Sequence, residues 1–106
     1  MFILMNTEQA KARAQILKAL AHPTRVLIVE ALSHGDRCVN DLRSLAAVTQ
    51  PTISHHLEKL KKTGIVTEQR RGKQVIHHLA CPCMLQAVEC TLGVIQTGQK
   101  RQKAAV

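Results

Sequence analysis

Cys81, Cys83 and Cys90 put three sulfurs within ten residues, and no other side chains in the sequence are as suited to chemistry. Sulfur donors in twos and threes hold soft, thiophilic ions with little other help. The same thiols, at such spacing, can be oxidised to a bridge or capped as a persulfide. Cys81-Pro82-Cys83 opens an amphipathic run, so Cys81 is expected as a helix N-cap and Cys83 in the first turn. Unpaired amides and the positive end of a helix dipole favour an anion there. A C-x-C pair alone is a weak motif, and any single cysteine can pack as a small hydrophobe; Cys90 as a third sulfur makes the group a candidate sensor. Seven residues of helix set Cys90 about 10 Å along the axis from Cys83. Either the CPC turn folds back, or Cys90 arrives from a second copy of the chain. Cys38 stands apart and is expected to be structural, with a further ligand role as its alternative. His77 and His78, just ahead of Cys81, are two more ligand candidates, although polar strand positions facing solvent are the commoner case.

A second set of side chains suits a polyanion. Between Thr49 and Gly64 the apolar residues Ile53, Leu57 and Leu60 fall at helical spacing, which leaves Gln50, Thr52, Ser54, His55 and Lys59 on the open side. Amide, hydroxyl, imidazole and ammonium groups on one face, with few acids, match base edges and phosphates. A solvated surface helix is the bland alternative. What argues against it is the flanking structure. Upstream, Leu42, Leu45 and Ala46 recur behind Asn40, a good N-cap, as a short helix; Pro51 then suits the first turn of the next one. Downstream, two β-prone runs, Ile65 to Gln69 and Gln74 to Leu79, flank a glycine-bearing turn whose cations are Arg70, Arg71 and Lys73. That hairpin reads as a wing.

These segments need a scaffold. Thr7 is expected to cap a first helix ending near Leu20, with Ala10, Ala14, Leu17 and Leu20 inward and Lys11, Arg13 and Lys18 outward. A second helix starts at Pro23, carries Val26, Leu27, Val29 and Leu32 in the core, and stops at Gly35; His22 and His34 at its ends are expected in capping or surface roles. Leu85, Val88, Leu92 and Ile95 define a last helix to about Gln96. The expected architecture is therefore mainly α with a small β-hairpin, in the order α-α-α-α-β-β-α. It forms one domain over residues 1–98, followed by a basic disordered tail over 99–106. With 106 residues and a single aromatic residue the core is small. The apolar stripes of the first and last helices are thus expected to close a homodimer. Fifteen Lys and Arg against seven Asp and Glu leave a net charge of +8, which points to nucleic acid as partner. No stretch approaches the roughly 20 apolar residues of a membrane-spanning helix, and without an export signal the chain is expected to be cytoplasmic with its four cysteines reduced.

The segments AHPTRVLIVEAL at 21–32, CVNDL at 38–42, TQPTISHHLEKLKKTGIV at 49–66 and RRGKQVIHHL at 70–79 together resemble the ArsR/SmtB family of winged helix-turn-helix repressors. That resemblance implies a cytoplasmic homodimer that binds operator DNA and leaves it when a metal, a metalloid or a reactive sulfur or oxygen species reaches its ligands. It also implies that the final helices run antiparallel across the dimer axis. In zinc-sensing relatives an acid and a histidine open the last helix, where this chain has Cys81 and Cys83. The later ligand pair of that site would fall at Val94 and Thr97, so a zinc site of that kind is not expected. Arsenic-sensing relatives carry a C-x-C where this chain has Cys38-Val39-Asn40, and that site is incomplete too.

Two function classes follow. One is a repressor released by As(III) or Sb(III) first, with Cd(II), Pb(II) or Zn(II) behind; the other is a repressor switched by thiol oxidation or persulfide at the same cysteines. A constitutive DNA-binding protein with inert cysteines is a distant third. No acid–base pair, nucleophile elbow or phosphate-binding glycine loop marks an enzyme.

Overall fold

The computed structural model describes residues 4–104, with side chains to residue 99. The elements run α1 (Thr7–Leu20), α2 (Pro23–Ser33), β1 (Arg37–Cys38), α3 (Val39–Ala46), α4 (Gln50–Thr63), β2 (Val66–Arg71), β3 (Gln74–Leu79) and α5 (Cys83–Ala104). The expected order of helices and hairpin is present, with one addition: β1 pairs antiparallel with β3, giving a three-stranded sheet ordered β1-β3-β2. Ile28, Val29 and Leu32 of α2, Leu42 of α3, and Ile53, Leu57 and Leu60 of α4 pack with Ile65, Val66 and Leu79 in the buried core. Leu27, expected inside, is 46% exposed.

Several boundaries differ from expectation for local reasons. The N-cap of α1 is Asn6 rather than Thr7: its side chain accepts from Gln9 N at 2.8 Å, while the Gln9 side chain accepts from Asn6 N at 3.0 Å. This capping box satisfies two otherwise unpaired amides. Asn40 does not cap α3, because β1 delivers the chain straight into the helix and Cys38 becomes the extended residue before it. The α3 helix ends at Ala47 in the left-handed region, φ 54° and ψ 42°. That conformation costs an L-residue about 1–2 kcal/mol and glycine almost nothing. Ala47→Gly is therefore expected to stabilise the chain by about 0.5–1 kcal/mol after its extra unfolded-state entropy is counted, read as a rise in the urea midpoint with an unchanged slope.

In the wing, Arg71 pairs with Gln74 across the two residues Gly72 and Lys73. Only Gly72 has positive φ, +63°, the pattern of a type II′ turn with glycine first. Arg70 and Arg71 thus belong to β2, and only Lys73 of the wing cations lies in the turn itself.

The last helix does not stop near Gln96. It continues to Ala104, so the backbone of 99–104 is helical where composition pointed to an irregular tail. Its start is anchored through Met84 and Leu85 against the core; Leu92, Val94 and Ile95 are 54–73% exposed. On α1, Ala10, Ala14 and Leu17 are exposed as well, and only Ala19 and Leu20 are buried within the chain. Projection of α5 explains a radius of gyration of 16.6 Å, against about 13 Å for a compact chain of this length.

Candidate nucleic-acid interface and cysteine site

The α4 helix is seated by a stripe of Ile53, His56, Leu57 and Leu60, all buried. This fixes what the opposite side offers: Gln50, Thr52, Ser54, His55 and Lys59 are all exposed. Thr49 precedes the helix in extended conformation, and its hydroxyl lies 2.9 Å from that of Thr52. Lys61 ties the helix to the wing, reaching Glu68 of β2 at 2.8 Å and Glu58 at 3.4 Å. The hydrogen bond to Glu68, and after it that to Glu58, raise the Lys61 ammonium above its ordinary range. Beyond that tie Arg70, Arg71 and Lys73 stand exposed on the hairpin. A helix with a polar open face and a cationic hairpin are thus held in a fixed relation, hydrogen-bonding groups on one and positive charge on the other, a combination chemically suited to a polyanion.

Sequence reasoning passed over His56 and Arg25. The signal was present, since His56 falls three residues after Ile53 on the apolar stripe. The Arg25 Nε–H donates to His56 Nδ1 at 3.1 Å, and Nη1 donates to the Ala19 carbonyl at 3.3 Å. The His22 ring packs on His56 at 4.2 Å between centroids. His22 also caps α2, its Nδ1 accepting from Thr24 N at 3.1 Å, as its position suggested. Arg25 thereby joins the end of α1 and the start of α2 to the helix that carries the polar face.

Alternation on β3 separates the two wing histidines. His78 faces out, 2.7 Å from Asp36, whereas His77 points inward at 3% exposure, contrary to the solvent-facing position expected. Neither ring nitrogen of His77 has a hydrogen-bond partner among the described residues. Burial lowers the pKa of both buried histidines; His22, Arg25 and His55 add to the effect at His56, while at His77 Glu68 opposes it and Lys61 reinforces it. A histidine whose folded pKa lies below the unfolded value of about 6.5 takes up its proton more readily when unfolded. Its contribution is therefore intact above pH 6.5 and lost as pH falls through the folded pKa, so the melting temperature is expected to drop between pH 7 and pH 5. Replacing His77 by Leu should remove its share of that slope and, by eliminating two unpaired buried nitrogens, stabilise the chain at pH 7.5 by about 1–2 kcal/mol. A loss of stability instead would mean that His77 holds a partner in solution.

The four cysteines are free thiols. Cys81 precedes α5, half-buried, with its Sγ 3.9 Å from the Gly64 carbonyl; Cys83 is the first residue of the helix and is exposed. The amides of Met84 and Leu85 donate to the carbonyls of Cys81 and Pro82 at 3.0 Å, so the chain turns into the helix here, but the helix begins at Cys83 and the residue before it is Pro82 rather than Cys81, the N-cap expected. Cys90 is exposed on the open flank of α5, beside Gly93, Val94 and Thr97. Cys38 lies half-buried, paired through its backbone with Ile76. Among the described residues no group of three His, Cys, Asp or Glu side chains converges to hold a metal ion. The single chain therefore presents the sulfurs of Cys81, Cys83 and Cys90 without assembling them. Nor does any helix among the described residues have the length and apolarity to cross a membrane.

Comparison with known proteins gives a consistent picture. The sequence pattern described as "Bacterial regulatory protein, arsR family" matches residues 22–68. The biofilm growth-associated repressor of Xylella fastidiosa (strain 9a5c) is 36% identical over 95 residues, covering 90% of this chain and 82% of that protein. The HTH-type transcriptional repressor SmtB of Mycobacterium tuberculosis is 44% identical over 69 residues, 65% of this chain but only 51% of that protein, so the match spans about half its length. Among solved structures, the AntR antimony-specific transcriptional repressor superposes with a TM-score of 0.78 at 26% identity, covering 93% of this chain and 90% of that one.

Proposed function

This chain belongs to the ArsR/SmtB family of winged helix-turn-helix regulators, and from that premise we propose that it is a homodimeric repressor released from operator DNA by a thiophilic metalloid. The observation that carries the DNA half is the exposed face of α4 beside a cationic hairpin. In this reading Gln50, Thr52, Ser54 and His55 meet base edges, while Lys59, Arg70, Arg71 and Lys73 hold phosphates. Arg71→Ala or Lys73→Ala should then weaken every sequence alike, and each should reduce the salt slope of binding by about one unit.

The dimer and the sensor share one support. The α5 helix leaves the domain with Leu92, Val94 and Ile95 uncovered, and α1 exposes Ile16 and Leu17. These faces are the proposed seam. If the two α5 helices run antiparallel there, Cys90 of one protomer is brought toward Cys81 and Cys83 of its partner, which gives two symmetric three-sulfur sites. Such a donor set suits As(III) or Sb(III) before Cd(II), Pb(II) or Zn(II), and the likeness to an antimony-specific repressor favours the same order. A second reading, release by oxidation or persulfide formation at the same cysteines, is favoured by the free state of all four thiols.

The discriminating experiment is titration of the reduced protein on operator DNA, followed by fluorescence anisotropy, with As(III), Sb(III), Cd(II), Zn(II), peroxide and persulfide in separate runs. Release by As(III) or Sb(III) at near-stoichiometric concentration is the expected result. Release by peroxide or persulfide alone would replace the metalloid reading with the oxidative one.

A further inference from the structure

Beside the polar face of α4, meeting it at Lys59, lies a groove of about 410 Å³ between α1, α2 and the second half of α4. Its walls carry Lys18, Arg25, Lys59 and Lys62, with Gln15 and Thr63 beside them and no carboxylate. Among the described residues none of these four cations takes part in an ion pair; the acids that are paired serve Lys11, Lys61 and His78. Four like charges gathered around a concavity repel one another unless an anion is present, and the chain as a whole, at +8, supplies no compensating field.

Arg25 differs from the three lysines. Its Nε is held by His56 and its Nη1 by the Ala19 carbonyl, so the guanidinium plane is fixed before any ligand arrives. Nη2 makes no hydrogen bond among the described residues, and Arg25 lines the groove. A fixed guanidinium beside mobile ammonium groups is a pre-organised arrangement for phosphate oxygens.

We propose that this groove is a binding site for a small molecule carrying two or more phosphate charges, distinct from the cysteines and bordering the DNA face, with which it shares Lys59. The shape favours a small molecule over duplex. The volume falls within the roughly 300–1,000 Å³ of small-ligand sites. Lys62 stands about 18 Å along the axis from Gln50, whereas a recognition helix approaches the duplex with its N-terminal residues. The groove also has a route to function, because Arg25 contacts His56 on the buried side of α4, and an occupant that draws on Arg25 acts on the seating of that helix.

The test is calorimetric titration of the reduced full-length chain, without DNA, with inorganic pyrophosphate and with ADP, comparing wild type with Lys18→Gln/Lys62→Gln. Both substitutions are at exposed side chains, and circular dichroism confirms the fold. The expected result is saturable binding of one ligand per chain, weakened at least ten-fold by the double substitution, with operator affinity kept within two-fold. Pyrophosphate binding without ADP binding would define the occupant as an inorganic or compact phosphate, and binding of both would define it as a phosphate ester. Non-saturable binding, or equal binding by both proteins, would overturn the proposal. So would a loss of operator affinity in the double variant with a fall of about two in the salt slope, which would make the groove a contact to the DNA backbone.

Discussion

Replacing Cys81, Cys83 or Cys90 by Ser, one at a time, is expected to leave operator affinity within about two-fold, or about 0.4 kcal/mol, and to abolish release by As(III). Cys38→Ser should respond as wild type. The size of the effect follows from the way a three-sulfur site works. With one thiolate gone the ion loses a strong ligand, and the free energy that separates the DNA-bound from the released conformation disappears with it. A coupling of about 1–3 kcal/mol, a change of 5- to 150-fold in operator affinity, is enough for a repressor. The proposed lever is the seam. Drawing Cys81 and Cys83 toward Cys90 of the other protomer would reorient the α5 helices, whose starts pack on each domain through Met84 and Leu85. A change in their crossing alters the distance between the two α4 helices and takes them out of register with successive major grooves. The half-buried Cys38, set in β1 and bonded through its backbone to β3, lies outside this movement. Retained As(III) response in Cys90→Ser would remove that residue from the site.

The second large effect concerns α4. Ser54→Ala with His55→Ala is expected to cost about 1–3 kcal/mol of specific affinity for each lost base contact while leaving non-specific binding and the melting temperature nearly unchanged. Both side chains are exposed, and what His55 touches inside the protein is the edge of the His56 ring at 5.6 Å. Competition between operator and random duplex, measured by anisotropy, separates the terms. Wild-type operator preference in the double variant would place base recognition elsewhere.

What could be read from the sequence was whatever local physics decides. The Ile53, Leu57 and Leu60 stripe, the helix start around Pro51, and the stop at Gly64, which adopts φ +84° as the left-handed cap, define α4 almost to the residue. The hairpin was legible for a similar reason, since glycine between two β-prone runs leaves few other outcomes. The two-residue strand β1 was not, because its identity depends on pairing Arg37 with His77, forty residues on, and two residues carry no period. The end of α5 was misjudged because apolar periodicity stops at Ile95, yet Gln, Lys, Arg and Ala beyond it are good helix formers, and propensity extends the helix to Ala104. His56 was missed for the opposite reason: its place on the apolar stripe was visible, but burial of an imidazole depends on Arg25 and His22, which reach it from another helix. The cysteines were legible as chemistry but not as a site, because within one protomer the sulfurs do not converge.

That last point sets the decisive measurement. A mixed dimer is prepared in which one protomer carries Cys81→Ser/Cys83→Ser and the other Cys90→Ser, and As(III) binding is followed by the sulfur-to-arsenic absorption band. An intersubunit site leaves one intact three-sulfur site per dimer, so half the wild-type stoichiometry is expected at wild-type affinity. An intrasubunit site leaves none; absence of binding in the mixed dimer, with full binding by wild type, would contradict the account and make a folded-back Cys81-Pro82-Cys83 turn the place where the ion is held.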